Sequence, residues 1–408
     1  MASSVAPLAR PYTRSALIGL GGLFAGVTGP LLSTFVPPLV QSALGDRRAL
    51  IGLVMAIDNV LLLVLVPWTG PASDRLVALG RSRLPFVIAG LVLAAAGMAL
   101  LPPSASLGLG VLIAAMVLLH AGINMQRSPF HALMADVVPS RFRSLANASV
   151  TFQMCVAAIV FLMLGRMLGM RLAFFIAAGT VLVIALAFVA GMPTSMERAQ
   201  SEEPTFASLG HAAWEALSGR IAGMRAIFAA ALLLQLTFQT FTTWYALHAI
   251  ERFGITAEDV TIGFIAWAIG GVIGALPAGF VGMRLGRRAT MLGGFAGMAI
   301  CLLALDRAAT QQAAVPLIGL TSAIWAFPMV NAYPLFIERV APSNRGILTS
   351  VFLLSMALGG AVGDPVNGRL FDAFAGYRPM FLLMCAYTTL AVLAVWLIPR
   401  GAGEARDV

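Results

Sequence analysis

The sequence predicts an all-α integral membrane protein of twelve transmembrane helices, built as two six-helix lobes in a pseudo-two-fold arrangement. Three observations predict it. Of 408 residues, 60% are hydrophobic and 11% charged, with a mean hydropathy of +0.92; soluble domains carry about 25% charged residues. Apolar runs recur along the whole chain, each near the roughly 20 residues that a bilayer core asks of a helix. Polar motifs that follow the second and fourth runs return after the eighth and tenth, half a chain later.

The runs fall at 15–40, 50–71, 84–102, 107–134, 144–165, 172–191, 224–249, 260–283, 289–306, 313–338, 347–374 and 377–398. The first follows Arg10 and Arg14 and is too long for a signal-peptide core, so it reads as a retained span. Its glycines (Gly19, Gly21, Gly22, Gly26) permit close helix approach, and Pro30, Pro37 and Pro38 permit bends. The chain then divides into an N-terminal lobe, 1–191, a linker, 192–223, and a C-terminal lobe, 224–408. Within the linker Phe206, Leu209, Ala213 and Leu217 suit a helix lying on the membrane surface, with His211 solvated.

All the basic charge is arginine, and the net charge is +9. In a chain this apolar, that balance points to lipid headgroups and topology, and no nucleic-acid motif accompanies it. With both termini placed in the cytoplasm, seventeen arginines fall in inside segments and eight outside, which sets the orientation. Arg127 alone is left inside the membrane, the others falling in connecting segments or at helix edges. Cys155, Cys301 and Cys385 have neither metal spacing nor a CxxC pattern and read as small buried hydrophobes. No metal and no cofactor is expected.

The chemistry concentrates between Leu118 and Arg143. His120, Asn124, Arg127 and His131 fall at spacings that share one helical stripe. Charged groups inside a membrane usually face a bundle interior or a wet cavity. The stripe reads as one wall of a transport path; the plainer reading is polar glue between helices. Asp58 lies about 12 Å into the second run, near the middle of a core about 30 Å thick. A carboxylate there either pairs with a cation or holds a proton, and both suit a proton carrier working with Arg127. The plainer reading is a permanent pairing with Arg127 or Asn59. Asp364, followed by a kinking Pro365, is a second candidate coupling acid, unless it is ion-paired with Arg369. Gln235, Gln239 and Thr242 share a face of the seventh run, with Trp244 beyond. They offer a sugar its donors and acceptors, with Trp267, Trp325 and Asn331 as further binding candidates.

At the inner ends, Gly70-Pro-Ala-Ser-Asp74-Arg75 and Gly80-Arg81-Ser-Arg83 have counterparts in Gly279–Arg284 and Gly286-Arg287-Arg288. Asp136 followed by Arg141 and Arg143 is matched by Glu338 followed by Arg339 and Arg345. Gly70, Asp74, Arg75, Arg81, Asp136, Arg141, Arg143, Glu338 and Arg345 are candidate gate residues, with Asp136 expected to pair with Arg141 or Arg143. In the second copy Met283 replaces the aspartate, so that gate is expected to be weaker. These elements resemble the signature loops of the major facilitator superfamily over the whole chain, with four residues, Leu76 to Leu79, inserted in the first. Ile57-Asp58-Asn59, Pro67-Trp68, Gly80-Arg81-Ser-Arg83-Leu-Pro85, Arg127-Ser-Pro129 and Asn331-Ala-Tyr333-Pro334 are similar to its glycoside–pentoside–hexuronide and sucrose-transporter-like branch, in a bacterial member.

The resemblance implies a secondary active transporter in the bacterial cytoplasmic membrane. It would work as a monomer by alternating access, as a proton-coupled (or sodium-coupled) symporter of a sugar such as a glucoside or disaccharide. The alternative is a proton-coupled exporter of drugs or metabolites, whose cavity would be mainly apolar and aromatic. A non-transporting sensor is a further alternative. An enzyme is not expected, because no nucleophile has a base beside it.

Overall fold

The computed structural model describes residues 9–139, 142–195, 214, 218, 222–340 and 345–399. Among these, nine helical stretches are long and apolar enough to cross a membrane. In order the helices are α1 (Ala9–Leu44), α2 (Arg48–Met55), α3 (Ile57–Ala78), α4 (Leu84–Leu107), α5 (Leu109–Val137) and α6 (Arg143–Gly191). Then follow α7 (Met224–Phe253), α8 (Ala257–Leu285), α9 (Arg287–Arg307), α10 (Gln311–Ile337), α11 (Arg345–Ala373) and α12 (Met380–Trp396). Helices are what this composition allows. A lipid-facing backbone must satisfy its own N–H and C=O groups, and a helix does so within one segment.

Two departures from the expected runs matter. The fifth and sixth runs lie in one continuous helical assignment, α6, interrupted only where Gly169 takes φ 75°. Its apolar part, Leu145–Gly191, has 47 residues, about 70 Å of helix and more than twice a bilayer core. A glycine can take that left-handed turn without the Cβ penalty, so no longer loop is needed. The second run is instead divided. Ala56 is a turn residue between α2 and α3, with ψ −12° in place of the helical value near −42°.

The helices pack as two compact units. One comprises residues 1–45 and 57–203, and the other 46–56 and 204–408. Thus α2 belongs with α7–α12, and α3 with α1 and α4–α6. Most of the amphipathic linker piece, with His211, lies outside the described residues.

Within each unit, small residues set the close crossings, as is usual where no hydrophobic force drives helices together. In the first unit, Gly22 and Gly26 of α1 lie against the carbonyls of Val150 and Met154 of α6, where a Cβ would come within 1.9 and 2.1 Å. Span one is therefore closely packed along its glycine face. In the second unit, Gly270 and Gly274 of α8 meet the carbonyls of Gly319 and Ala323 of α10 in the same way, at 2.0 Å each. A cluster around Phe228, Phe295, Phe336 and Phe352 forms an apolar core of that unit. Cys155, Cys301 and Cys385 are free thiols.

Gly270→Ala should push α8 off α10. It is expected to cost about 1–3 kcal/mol, the usual range for overpacking, and to lower the thermal midpoint in detergent. Gly279→Ala, where a Cβ meets nothing within 4 Å, should leave the midpoint unchanged or slightly raised. Equal midpoints for the two variants would refute the role given to the α8–α10 glycines.

Candidate functional site

In the first unit α3 and α5 bring three polar residues of the membrane interior together. Asp58 Oδ1 lies 3.0 Å from His120 Nδ1, with side chains 35% and 9% exposed. Asn124 Nδ2 donates to the same Oδ1 at 2.9 Å and to the Asp58 carbonyl at 3.2 Å. It also lies 3.0 Å from the His120 carbonyl, one turn back on its own helix. The +4 spacing of His120 and Asn124 is what lets both reach one carboxylate. Asn124 is wholly buried and His120 nearly so, whereas Arg127 and His131, further along the stripe, are exposed. The direct contacts of Asp58 are thus with His120 and Asn124, and Arg127, one turn beyond Asn124, acts on the carboxylate by charge attraction without a hydrogen bond.

This arrangement has a definite chemistry. One carboxylate, one imidazole and one amide share a half-buried position.

In the second unit, Asp364 on α11 is completely buried, while Arg369 is exposed. Its Oδ2 accepts from Gln239 Nε2 of α7 at 2.9 Å, and Gln239 also bonds Thr243 at 3.1 Å. Asn367 donates to Thr240 at 2.8 Å and accepts from Tyr387 at 2.7 Å. The hydroxyl of Thr242 bonds carbonyls of its own helix, those of Phe238 and Gln239. Trp244, expected beside a solute, is fully buried against Phe371 and Tyr377. Asn331 ties α10 to the Ala278 carbonyl of α8 at 3.0 Å and is a packing residue here. Gln235 remains half-buried.

The aromatic candidates do come together. Phe238 stacks on Trp325 at 5.3 Å and Phe241 on Trp267 at 4.2 Å, and the two tryptophans are 5.8 Å apart. Phe238 and Trp325 keep part of their surface open, while Phe241 and Trp267 form the floor. Sequence reasoning named both tryptophans but missed the phenylalanines. Their spacing of three on α7, one side of a helix, was the available signal.

Around the α3–α4 turn, Arg83 is the hub that sequence reasoning left out of the expected gate. Its Nε donates to Asp136 at 2.8 Å, and its Nη1 reaches both Asp74 and the Ser73 hydroxyl, the latter at 2.8 Å. Burial alone would lower the affinity of the guanidinium for its proton, but bonds to Asp136 and Asp74 outweigh that and raise it. Asp136 is thus paired with Arg83, not with Arg143; Arg141 and the side chain of Arg345 lie outside the described residues. Position explains it. Gly80 turns at φ 76°, the next segment bonds Thr194 through the Ser82 N–H at 3.0 Å, and α4 starts at Leu84 directly after Arg83, with Pro85 in its first turn. The guanidinium is held at a rigid helix start, while Arg75, Arg81 and Arg143 point to the exposed side. Near Gly70 a Cβ would be 3.0 Å from the Ser128 hydroxyl.

The second unit repeats the pairing between equivalent elements: Arg287, at the start of α9, bridges Glu338 at the end of α10. That pair is wetter, with side chains 34% and 51% exposed against 10% and 27% for Arg83 and Asp136. Met283 stands where a third partner would be.

The two units thus share an arginine–carboxylate pair at equivalent helix ends, and the first unit adds the Asp58 cluster. The family model for the Major Facilitator Superfamily matches residues 18–270 and 227–407, and the chain belongs to that superfamily. It is a family of non-catalytic carriers, so no enzyme activity is assigned. The chain is similar to the Fosmidomycin resistance protein of Escherichia coli, 21% identical over 351 residues, 82% of this chain and 80% of that one. It also resembles Efflux pump FUB11 of Gibberella fujikuroi, 28% identical over 149 residues, 36% of this chain. The chain spans only 25% of the length of that pump. Among solved structures, a bacterial homologue of the human lysosomal transporter Spinster superposes with a TM-score of 0.77 at 14% identity, covering 96% of this chain and 98% of that one.

Removing the Arg83 guanidinium leaves two carboxylates facing each other. Arg83→Ala is expected to destabilise the fold by roughly 1–2 kcal/mol, as when hydrogen bonds to partly exposed charged groups are lost. Arg83→Ala with Asp136→Asn should recover part of that loss, and a double-mutant cycle on thermal midpoints reads the coupling. Additive effects would show that the pair is not energetically coupled.

Proposed function

We propose that this chain is a secondary active transporter that crosses the membrane twelve times and exports small aromatic or otherwise apolar solutes in exchange for protons. One observation carries the choice of solute. In the second unit the polar groups that a sugar would use are engaged internally, Gln239 by Asp364 and Thr243, and Thr242 by its own helix. The rings of Phe238, Trp267 and Trp325 instead gather into one partly open cluster. Offset and stacked ring pairs of this kind contribute about 0.5–1.5 kcal/mol beyond area burial, a gain a flat solute shares and a hydrated sugar mostly does not. The names of the curated relatives, a resistance protein and an efflux pump, support the same direction.

Proton coupling rests on Asp58 with His120 and Asn124, and Arg127 serves as the exposed cation beside them. In this reading protonation of the pair alternates with solute binding. The sugar symport of the sucrose-transporter-like branch is the second reading. The exposed donors of Arg127 and the half-buried Gln235 favour it, since a sugar would use both.

The test is transport in proteoliposomes with an imposed proton gradient, run in parallel with an aromatic dye panel and a radiolabelled sugar panel. The dyes should accumulate against their gradient and the sugars should not; sugar accumulation alone would replace the exporter reading by symport. Asp58→Asn should abolish gradient-driven accumulation while sparing exchange, and full accumulation by that variant would remove Asp58 from the coupling role. Trp325→Ala should raise the KM for the dyes by about tenfold, corresponding to ~1.4 kcal/mol, with the protein still folded.

A further inference from the structure

The donors of Gln239 are spent, but its acceptor is not. Its amide nitrogen carries two hydrogens. One goes to Asp364 Oδ2 at 2.9 Å and the other to the Thr243 hydroxyl at 3.1 Å. No described residue donates to the amide oxygen, and that atom is not sealed off, since the side chain is half-buried. The orientation is dictated by chemistry. A carboxylate oxygen only accepts, so it must face the nitrogen and turn the amide oxygen away.

Packing that does not depend on the carboxylate holds Asp364 in place. Asn367, one turn along α11, donates to Thr240 at 2.8 Å and accepts from Tyr387 of α12 at 2.7 Å. A Cβ on Gly359 would lie 3.1 Å from the Leu232 carbonyl of α7, and one on Gly363 would lie 2.5 Å from the Leu236 side chain. The seam between α7 and α11 is therefore close over more than a turn, and it sets the completely buried carboxylate against Gln239.

Thr242 has the same bias. Its hydroxyl hydrogen is turned to the Phe238 and Gln239 carbonyls of its own helix, 3.2 Å from each, which leaves lone pairs outward. At about 100° per residue, Thr242 lies roughly 40° round the helix from Phe238, and Gln239 roughly 100°. The half-open side of α7 thus has a ring at one edge, stacked on Trp325 at 5.3 Å, and acceptors toward the other. On a helix about 10–12 Å across, that arc is roughly 10 Å, the length of a flat bicyclic molecule with one polar substituent. Gln235, one turn earlier, has neither end of its amide directed and so imposes no polarity.

The geometry points to Gln239 as the residue that selects the polar end of the solute, and to Asp364 as the positioning residue that makes it an acceptor. The solutes it favours are aromatic compounds that carry a hydrogen-bond donor, such as phenols and aryl amines. This rests on the reading of the Phe238–Trp325 cluster as a solute site. Asp364 acts here through Gln239 and touches no solute.

Equilibrium binding of tritiated naphthol and of its methyl ether tests this, on the full chain in lipid nanodiscs with empty nanodiscs subtracted. The two probes share their rings and differ by one O–H donor. Naphthol should bind about fivefold tighter or more, as one added hydrogen bond allows. Gln239→Met, which keeps the length and removes the amide, should bring the two affinities close together and leave that of the ether unchanged. Asp364→Asn should also narrow the preference with the ether unchanged, because an amide there donates as well as accepts and no longer dictates which end of Gln239 faces it. Thr243→Val, which removes the other acceptor, should narrow it too and serves if Asp364→Asn does not fold. A preference that survives Gln239→Met overturns the selecting role. Equal losses of both probes in Asp364→Asn reduce Asp364 to a structural residue and overturn its positioning role. Trp325→Ala should weaken both probes alike. If neither probe binds, or Trp325→Ala weakens neither, the aromatic-solute reading falls and this one with it. Equal binding of both probes that Trp325→Ala weakens keeps the aromatic reading and overturns the directed acceptor.

Discussion

The constraint on which this structure depends is the absence of water in the hydrocarbon core. Each polar group taken there must find a partner inside the protein or lie beside a wet space. The Asp58–His120–Asn124 cluster is the sharpest case. One amide nitrogen is shared among a carboxylate, that residue's backbone carbonyl and the carbonyl one turn back on its own helix. The amide thereby fixes both the side chain and the main chain of Asp58.

The same constraint explains how the remaining polar groups are used. Asn331 and Ser322 give their donors to carbonyls of α8 and serve to hold helices together. Gln239 and Asn367 are engaged with α11, α7 and α12 partners within the second unit. At the helix ends arginine–carboxylate pairs take over. The pair Arg83–Asp136 and the pair Arg287–Glu338 connect equivalent helices of the two units, yet the second is more exposed and lacks a third partner. The two repeats have kept one interaction and differ in how tightly it is enclosed.

Much of this was legible from residue order. The apolar runs, the repeat and the signature loop point to the superfamily because each follows from local chemistry: hydrophobic length, arginine placement, glycine at turns. The stripe on α5 was legible for the same reason, since helical periodicity places His120 and Asn124 on one side. What escaped was the identity of partners. Arg83 and Arg143 are both arginines near Asp136 in the sequence pattern, and only the rigid start of α4 favours the first. Gln239 and Thr242 look equally available on α7, and only packing shows that both are already engaged. Trp244 and Trp325 are indistinguishable by composition, yet one is wholly enclosed by Phe371 and Tyr377 and the other keeps an open face.

The amino-acid sequence by itself determined that this chain is a helical, two-unit membrane carrier, because bilayer solubility and backbone satisfaction are properties of single segments. Tertiary structure decided which ionisable groups meet, and which distant segments hold one another. Those outcomes depend on close approach between segments hundreds of residues apart, such as Gly52 on Asp364 and Asp372 on Arg48. No periodicity within a segment encodes them.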